Sequence, residues 1–225
     1  MDQFAEDNFV VDKLGGKTVE LIGATFLADE DHVFGLPNHD YIAREIKWYE
    51  SQSRFVKDIP EGPPHIWEKV SSSAGMINSN YGWMIWSPEN GSQYDNVLNE
   101  LKKNPFSRRA EMIYTRPSMW VDYNADGMSD FVCTEAVQYF IRGEKLISHV
   151  KMRSNDGIFG YRNDFAWQKH VQNKLANDLG VEVGDMIWTA GSFHIYDSHF
   201  YLIDHYAKTG ETHITKAKYD QLYGV

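Results

Sequence analysis

The sequence predicts an α+β fold with a central mixed β-sheet flanked by helices, and three observations carry that expectation. Segments of alternating, β-branched and aromatic composition recur and gather centrally in the chain. Segments with a helical period stand around them. Hydrophobic residues make up 42% of the 225 residues, ample for one buried core.

Taken in order, "KTVELIGATFLA" (17–28) alternates and is β-branched, so it reads as a strand, and "HDYIAREIKWYESQS" (39–53) reads as a helix. "DIPEGPPH" (58–65) is a loop by its Pro and Gly, and "NVLNELKKN" (96–104) is a helix that ends near Pro105. "RAEMIYT" (109–115), "FVCTEAVQYFIR" (131–142) and "KLISHVKMRS" (145–154) read as strands, the last two joined by a hairpin turn at "GEK" (143–145). "DFAWQKHVQNKLANDLG" (164–180) is a long helix with a Gly stop. "DMIWTAGSFHIY" (185–196) closes the sheet as a strand, and "SHFYLIDHYAK" (198–208) is a helix. No repeat, low-complexity tract or linker divides the chain, so residues 1–225 read as a single domain.

A formal net charge of −10 argues against bulk binding to DNA or RNA, where Lys and Arg neutralise phosphate. One cysteine excludes an intrachain disulfide and fits a reducing, cytoplasmic setting. The acidic start "MDQFAEDNFVVDKL" lacks the apolar stretch of a signal peptide, and no apolar run reaches a membrane span. "DYNADGMSD" (122–130) opens like a calcium loop, but the twelfth position, where a bidentate Glu belongs, is Cys133. It therefore reads as a polar turn.

Several residues could carry chemistry. Glu45 is flanked at helical spacing by Tyr41, Ile42, Trp48 and Tyr49, which places its carboxylate in an apolar stripe. Desolvation there raises its pKa towards the range useful for proton transfer, unless it pairs with a buried base. Arg108 and Arg109, Arg153 followed by Ser154, and Lys13 are candidate anion ligands, although each alone is as readily a solvated charge. His194 and Tyr196 stand two apart on a strand, hence on one face, and both can hydrogen-bond a hydroxyl. His194, His199 and His205 are too irregularly spaced for a metal site, so no metal is expected. Cys133 in "SDFVCTEAVQYF" is either a small buried residue or a nucleophile; its own stretch supplies nothing to lower a thiol pKa.

These fragments in this order resemble the thymidylate synthase superfamily, and within it the deoxycytidylate hydroxymethylase branch of T-even-type bacteriophages. The resemblance runs from "VVDKLGGKTVELIGATFLADE" through "INSNYGW", "SRRAEMIYTRPSM", "DYNADGMSDFVCT", "MRSNDGIFGYRNDFAWQK" and "GSFHIY" to "HFYLIDHYAKTGETHIT". It implies a thymidylate synthase-like catalytic domain and a sheet-to-sheet homodimer. Cys133 would be the thiolate that adds to C6 of the pyrimidine, and Glu45 the acid/base that organises water. Arg153, Ser154 and Lys13 would hold the 5′-phosphate, with Arg108 and Arg109 reaching across from the second subunit. His194 and Tyr196 would bind the deoxyribose hydroxyl, Tyr81 would be an active-site tyrosine, and Asp156 would face the pterin of 5,10-methylenetetrahydrofolate.

Two departures from the synthase pattern bear on the substrate. Synthases follow the cysteine with His, where this chain has Thr134, and they carry Asn where "FGYRND" places Asp164. An amide complements N3–H and O4 of uracil, whereas a carboxyl that carries or shares a proton complements N3 and N4–H₂ of cytosine. The resemblance thus implies hydroxymethylation of dCMP for modified phage DNA, with docking to other phage nucleotide-synthesis proteins as a further role. The rival readings are a dUMP hydroxymethylase, a thymidylate synthase, or an inactive nucleotide- or RNA-binding module. Asp164 and Thr134 weigh against the first two. Retention of Cys133, Glu45, Arg108, Arg109 and Arg153 weighs against the third.

Overall fold

The computed structural model describes residues 2–11 and 15–224, so Lys13 lies outside the described residues. Along the chain come α1 (Asp2–Ala5), β1 (Val10–Val11), β2 (Lys17–Leu27), α2 (His39–Ser51), α3 (His65–Val70), α4 (Tyr81–Trp86) and α5 (Gln93–Lys103). There follow β3 (Glu111–Ile113), α6 (Met119–Asp122), β4 (Thr134–Arg142), β5 (Lys145–Asp156), α7 (Phe159–Leu179), β6 (Glu182–Tyr196), α8 (Phe200–Thr209) and α9 (Lys216–Tyr223). The strands form one six-stranded sheet in the order β1-β2-β6-β5-β4-β3.

Connection length explains why the sheet is mixed. Gly143 and Glu144 both take positive φ, which turns β4 directly into an antiparallel β5. The chain then spends 21 residues on α7 before returning as β6, and this crossover makes the β5–β6 pair parallel. The remaining pairs are antiparallel.

Side chains alternate across β4, β5 and β6. One face presents Val137, Tyr139, Val150, Met152, Trp188 and Ala190, all buried. Trp48 of α2, Ile85 of α4, Leu101 of α5, and Trp167, Val171 and Leu175 of α7 belong to the same core. The opposite face is only partly covered: Ile113 and Ile187 remain exposed, and polar groups pair across it, Thr25 to Thr189 and Thr189 to His149. The large core therefore gathers its helices on one side of the sheet.

The expected elements occur in the expected order, with differences at the boundaries and with the short elements α1, β1, α3, α4, α6 and α9 in addition. Helix α7 begins at Phe159, five residues before the helical pattern at 164, because the Asp156 carboxylate accepts from the first backbone N–H groups, those of Ile158, Phe159 and Gly160. The strand pattern at 109–115 narrows to Glu111–Ile113, and Cys133 sits just before β4, at the mouth of the sheet. In the calcium-like stretch two of the three carboxylates are engaged elsewhere: Asp122 pairs with Arg116, and Asp130 accepts from Asn78 and Ser79.

One glycine fixes how two helices meet. Any Cβ at Gly82 would lie 1.8 Å from the carbonyl oxygen of Tyr49, so α4 can lie against α2 only without a side chain there. Gly82→Ala is expected to cost about 2–3 kcal/mol through overpacking, read as a lower urea midpoint at unchanged slope.

Candidate active site

The sheet register assembles the site. Parallel pairing sets Ser154 beside Ser192 and Asp156 beside His194, so β5 and β6 deliver the phosphate candidates and the sugar candidates to one end of the sheet. Just before this point the two strands draw close: a Cβ at Gly191 would stand 2.9 Å from the carbonyl oxygen of Arg153. Cys133 joins the same end because its carbonyl accepts from the backbone N–H of Arg153 at 2.8 Å.

The guanidinium of Arg153 faces the thiol. Its Nη2 lies 3.7 Å from Sγ of Cys133 and 3.1 Å from the carbonyl oxygen of Phe131, and the group lies 4.9 Å from the centre of the Phe131 ring. Burial nevertheless pushes the Cys133 thiol up to about 11, with the negative charge of Asp164 adding to the rise and Arg153 opposing it. Within the single chain, burial therefore favours the thiol form of Cys133 over the thiolate.

Asp164 lies on the first turns of α7, where Nδ2 of Asn155 donates to its Oδ2 at 2.8 Å and Tyr81 also hydrogen-bonds to it. Burial, and then the nearby Glu45 carboxylate, push the Asp164 carboxyl up to about 8, which outweighs both hydrogen bonds. A carboxyl in this state carries its proton at neutral pH and can donate as well as accept.

Glu45 is 4% exposed, and no cation is paired with it among the described residues. Its Oε1 accepts from the hydroxyl of Tyr41 and, at 3.0 Å, from the indole N–H of Trp67. Burial raises its pKa despite these two donors. The alternative in which Glu45 balances a buried base is thus replaced by a neutral cradle that holds a proton-accepting group in an apolar wall.

Tyr81 is buried, stacks on Tyr49 with centroids 5.2 Å apart, and is set in place by Asn80, whose side chain caps α4 on Trp83 and ties back to Trp48 and Ser53. Cys133, Arg153, Asp164, Glu45 and Tyr81 therefore form one cluster, Asp156 lies near enough to raise the Asp164 carboxyl, and strand pairing sets His194 beside Asp156 and Ser192 beside Ser154. The carboxylate of Asp156 is occupied with capping α7, so it meets any ligand as part of a helix N-terminus.

Arg108 and Arg109 do not join the cluster. They precede the edge strand β3, both are exposed, and Arg109 is tied to Glu100 at 2.9 Å. Sequence reasoning passed over Asn155 and Trp67, and it read Tyr41 only as part of the apolar stripe around Glu45. Asn155 sat in plain view inside "RSND", but Trp67 belongs to a six-residue helix too short to show a period.

Known proteins share both the sequence and the fold. Residues 37–221 match the family described as Thymidylate synthase. The chain is 59% identical over 221 residues to deoxycytidylate 5-hydroxymethyltransferase of Enterobacteria phage T4, covering 95% of this chain and 90% of that protein. A deoxycytidylate 5-hydroxymethyltransferase of Enterobacteria phage T2 is 58% identical, covering 96% of this chain and 90% of that one. Thymidylate synthase of Corynebacterium aurimucosum is 30% identical, covering 84% and 72%. Among solved structures, thermostable thymidylate synthase A from Bacillus subtilis superposes with a TM-score of 0.68 at 24% identity, over 87% of this chain and 74% of that one, which shows the shared fold. Matched by the family model over most of its length and 58–59% identical to these phage enzymes across nearly the whole of both chains, the chain belongs to the thymidylate synthase family.

Proposed function

We propose that this chain transfers the one-carbon unit of 5,10-methylenetetrahydrofolate to C5 of dCMP and hydrates it, giving 5-hydroxymethyl-dCMP and tetrahydrofolate. The observation that carries the reading is Asp164, buried near Cys133 and hydrogen-bonded by Asn155, whose carboxyl burial pushes up to about 8, so that it would complement N3 and N4 of cytosine. The identity to the phage hydroxymethyltransferases supports the same base and the same product. Destined for modified phage DNA, the reaction would take place in the host cytoplasm; among the described residues no helix is long and apolar enough to cross a membrane.

Cys133 adds to C6 of the pyrimidine, and Asp164 shares its proton with N3 as charge develops there. The folate co-substrate supplies the carbon at the formaldehyde oxidation level. After C5 has bonded to this carbon, loss of the C5 proton and of tetrahydrofolate leaves an exocyclic methylene on the ring. Water adds to that carbon, and departure of the Cys133 thiolate restores the aromatic base. Glu45, its pKa raised by burial, is the group suited to orient the water and to relay the proton.

Arg153 and Ser154, with Lys13 and with Arg108 and Arg109 of the partner subunit, bind the 5′-phosphate in this reading. A homodimer formed across the open sheet face would bring those arginines to Cys133. Their charge would lower a thiol that burial leaves too basic in one protomer. Tritium release from C5-labelled dCMP and dUMP, with methylenetetrahydrofolate, tests the reading. Release from dCMP far ahead of dUMP is expected. Faster release from dUMP would make the chain a uridylate enzyme, and no release from either would restore the inactive module.

A further inference from the structure

A second chain of hydrogen bonds runs behind the sugar side of the site. In the pairing of β2 with β6, Glu20 stands opposite His194, and Ser192 precedes His194 by two residues on the same strand. The three side chains therefore share one face. Oγ of Ser192 lies 2.5 Å from Oε1 of Glu20 and 3.2 Å from Nδ1 of His194. The Tyr196 ring meets the imidazole edge-on, with an interplanar angle of 87° and centroids 5.1 Å apart, which restrains its rotation.

The direction of each bond follows from the chemistry of the groups. A carboxylate has no proton to give, so the serine hydroxyl donates to Glu20 and keeps only lone pairs for the imidazole. Nδ1 of a neutral His194 must then carry the proton and donate to Ser192. Nε2 is left unprotonated, an acceptor turned away from this chain.

We propose that Glu20 and Ser192 are positioning residues that set the tautomer of His194, and that this makes the site select nucleotides carrying a free sugar hydroxyl at C3′. The selection rests on the reading of His194 as a sugar-binding residue given above. A hydroxyl donates to Nε2. A 3′-phosphate offers that lone pair only further acceptors, and a sugar without the hydroxyl leaves it unmatched. The carboxylate thus acts on substrate choice without touching the substrate.

Two measurements on the full chain test this. In ¹⁵N-histidine spectra, with the His194 signals identified from His194→Gln, wild type should show a protonated Nδ1. Ser192→Ala removes the acceptor, and Glu20→Ala frees the serine proton to turn towards Nδ1, so both should move the population towards protonated Nε2. Ser192→Thr should restore the wild-type spectrum. In steady-state assays, Ser192→Ala and Glu20→Ala should raise KM for dCMP about tenfold and leave KM for 2′,3′-dideoxycytidine 5′-monophosphate unchanged. A protonated Nε2 in wild type overturns the proposal. So does an equal rise in KM for both nucleotides, which would mark the pair as merely structural. A wild-type enzyme that treats the two nucleotides alike overturns the assignment of His194 to the sugar, and the selection with it, even where the tautomer is as described.

Discussion

Asp164→Asn is expected to invert the base preference, with the ratio of kcat/KM for dCMP over dUMP falling by on the order of 10³-fold or more. The physical reason is mismatch in a desolvated site. The carboxyl can place a proton at N3 of cytosine and accept from N4, whereas an amide, held in one orientation because Nδ2 of Asn155 needs an acceptor, is expected to present its donor and acceptor in the order that suits uracil. Each mismatched buried pair costs more than a bond to water would return. The same residue should dominate the pH profile. Its carboxyl is pushed up to about 8, chiefly by burial and next by Glu45. The cytosine-matching form is then present below pH 8 and is lost above it. Wild-type kcat/KM for dCMP should fall on the alkaline side near pH 8, and Asp164→Asn should lack that limb when assayed on dUMP. Stability follows the sign of the same shift. The folded state binds this proton more tightly than the unfolded chain, whose aspartates titrate near about 4. This contribution is therefore complete below pH 4 and declines as pH rises to 8. Asp164→Asn, which cannot ionise, should unfold at a higher urea midpoint than wild type at pH 9.

Cys133→Ser should lower turnover of dCMP by on the order of 10⁴-fold or more, because an alkoxide is far harder to generate than a thiolate and no group in the cluster replaces it. Binding of dCMP should survive, since Arg153, Asp164 and His194 are untouched. The variant also tests whether the thiol is activated by a second subunit. Arg108→Ala should be severely impaired for the same phosphate and the same thiol. When the two inactive proteins are mixed and allowed to exchange subunits at random, half of the dimers are hybrids, and each hybrid carries one site with both groups intact. About a quarter of wild-type activity should return. Failure to recover any would place Arg108 outside the site of the other protomer and would leave the Cys133 pKa of about 11 unexplained.

The sequence made some of this architecture legible and hid the rest for physical reasons. Periodicity exposed α2, β5 and β6 because each is long enough to repeat its pattern and buries one side, whereas β2, with no buried residue, showed by its length and β-branched composition. It could not show α3, α4 or α6, helices of six residues or fewer whose place depends on tertiary contacts such as the approach of Gly82 to Tyr49. Glu45 was readable as a carboxylate in an apolar stripe, because its neighbours come from its own helix. The donors that satisfy it were only half readable: Tyr41 is one turn away, but Trp67 arrives from another element. Cys133 was the least legible residue taken alone. Its significance lies in Arg153 and Asp164, which are 20 and 31 positions distant and converge on it through the β4–β5 hairpin and the start of α7. Arg108 and Arg109 show the limit of a single chain: on the proposed reading they would serve a thiol in another copy, which the single chain does not contain.

The most direct test of the account is the mass of the nucleotide formed from dCMP and 5,10-methylenetetrahydrofolate in the presence of the purified chain. Hydroxymethyl-dCMP, with one oxygen from labelled water in the new group and tetrahydrofolate as the second product, is the predicted result. Methyl-dCMP with dihydrofolate would contradict it, because the exocyclic carbon would then have taken hydride where the site around Glu45 is held to deliver water.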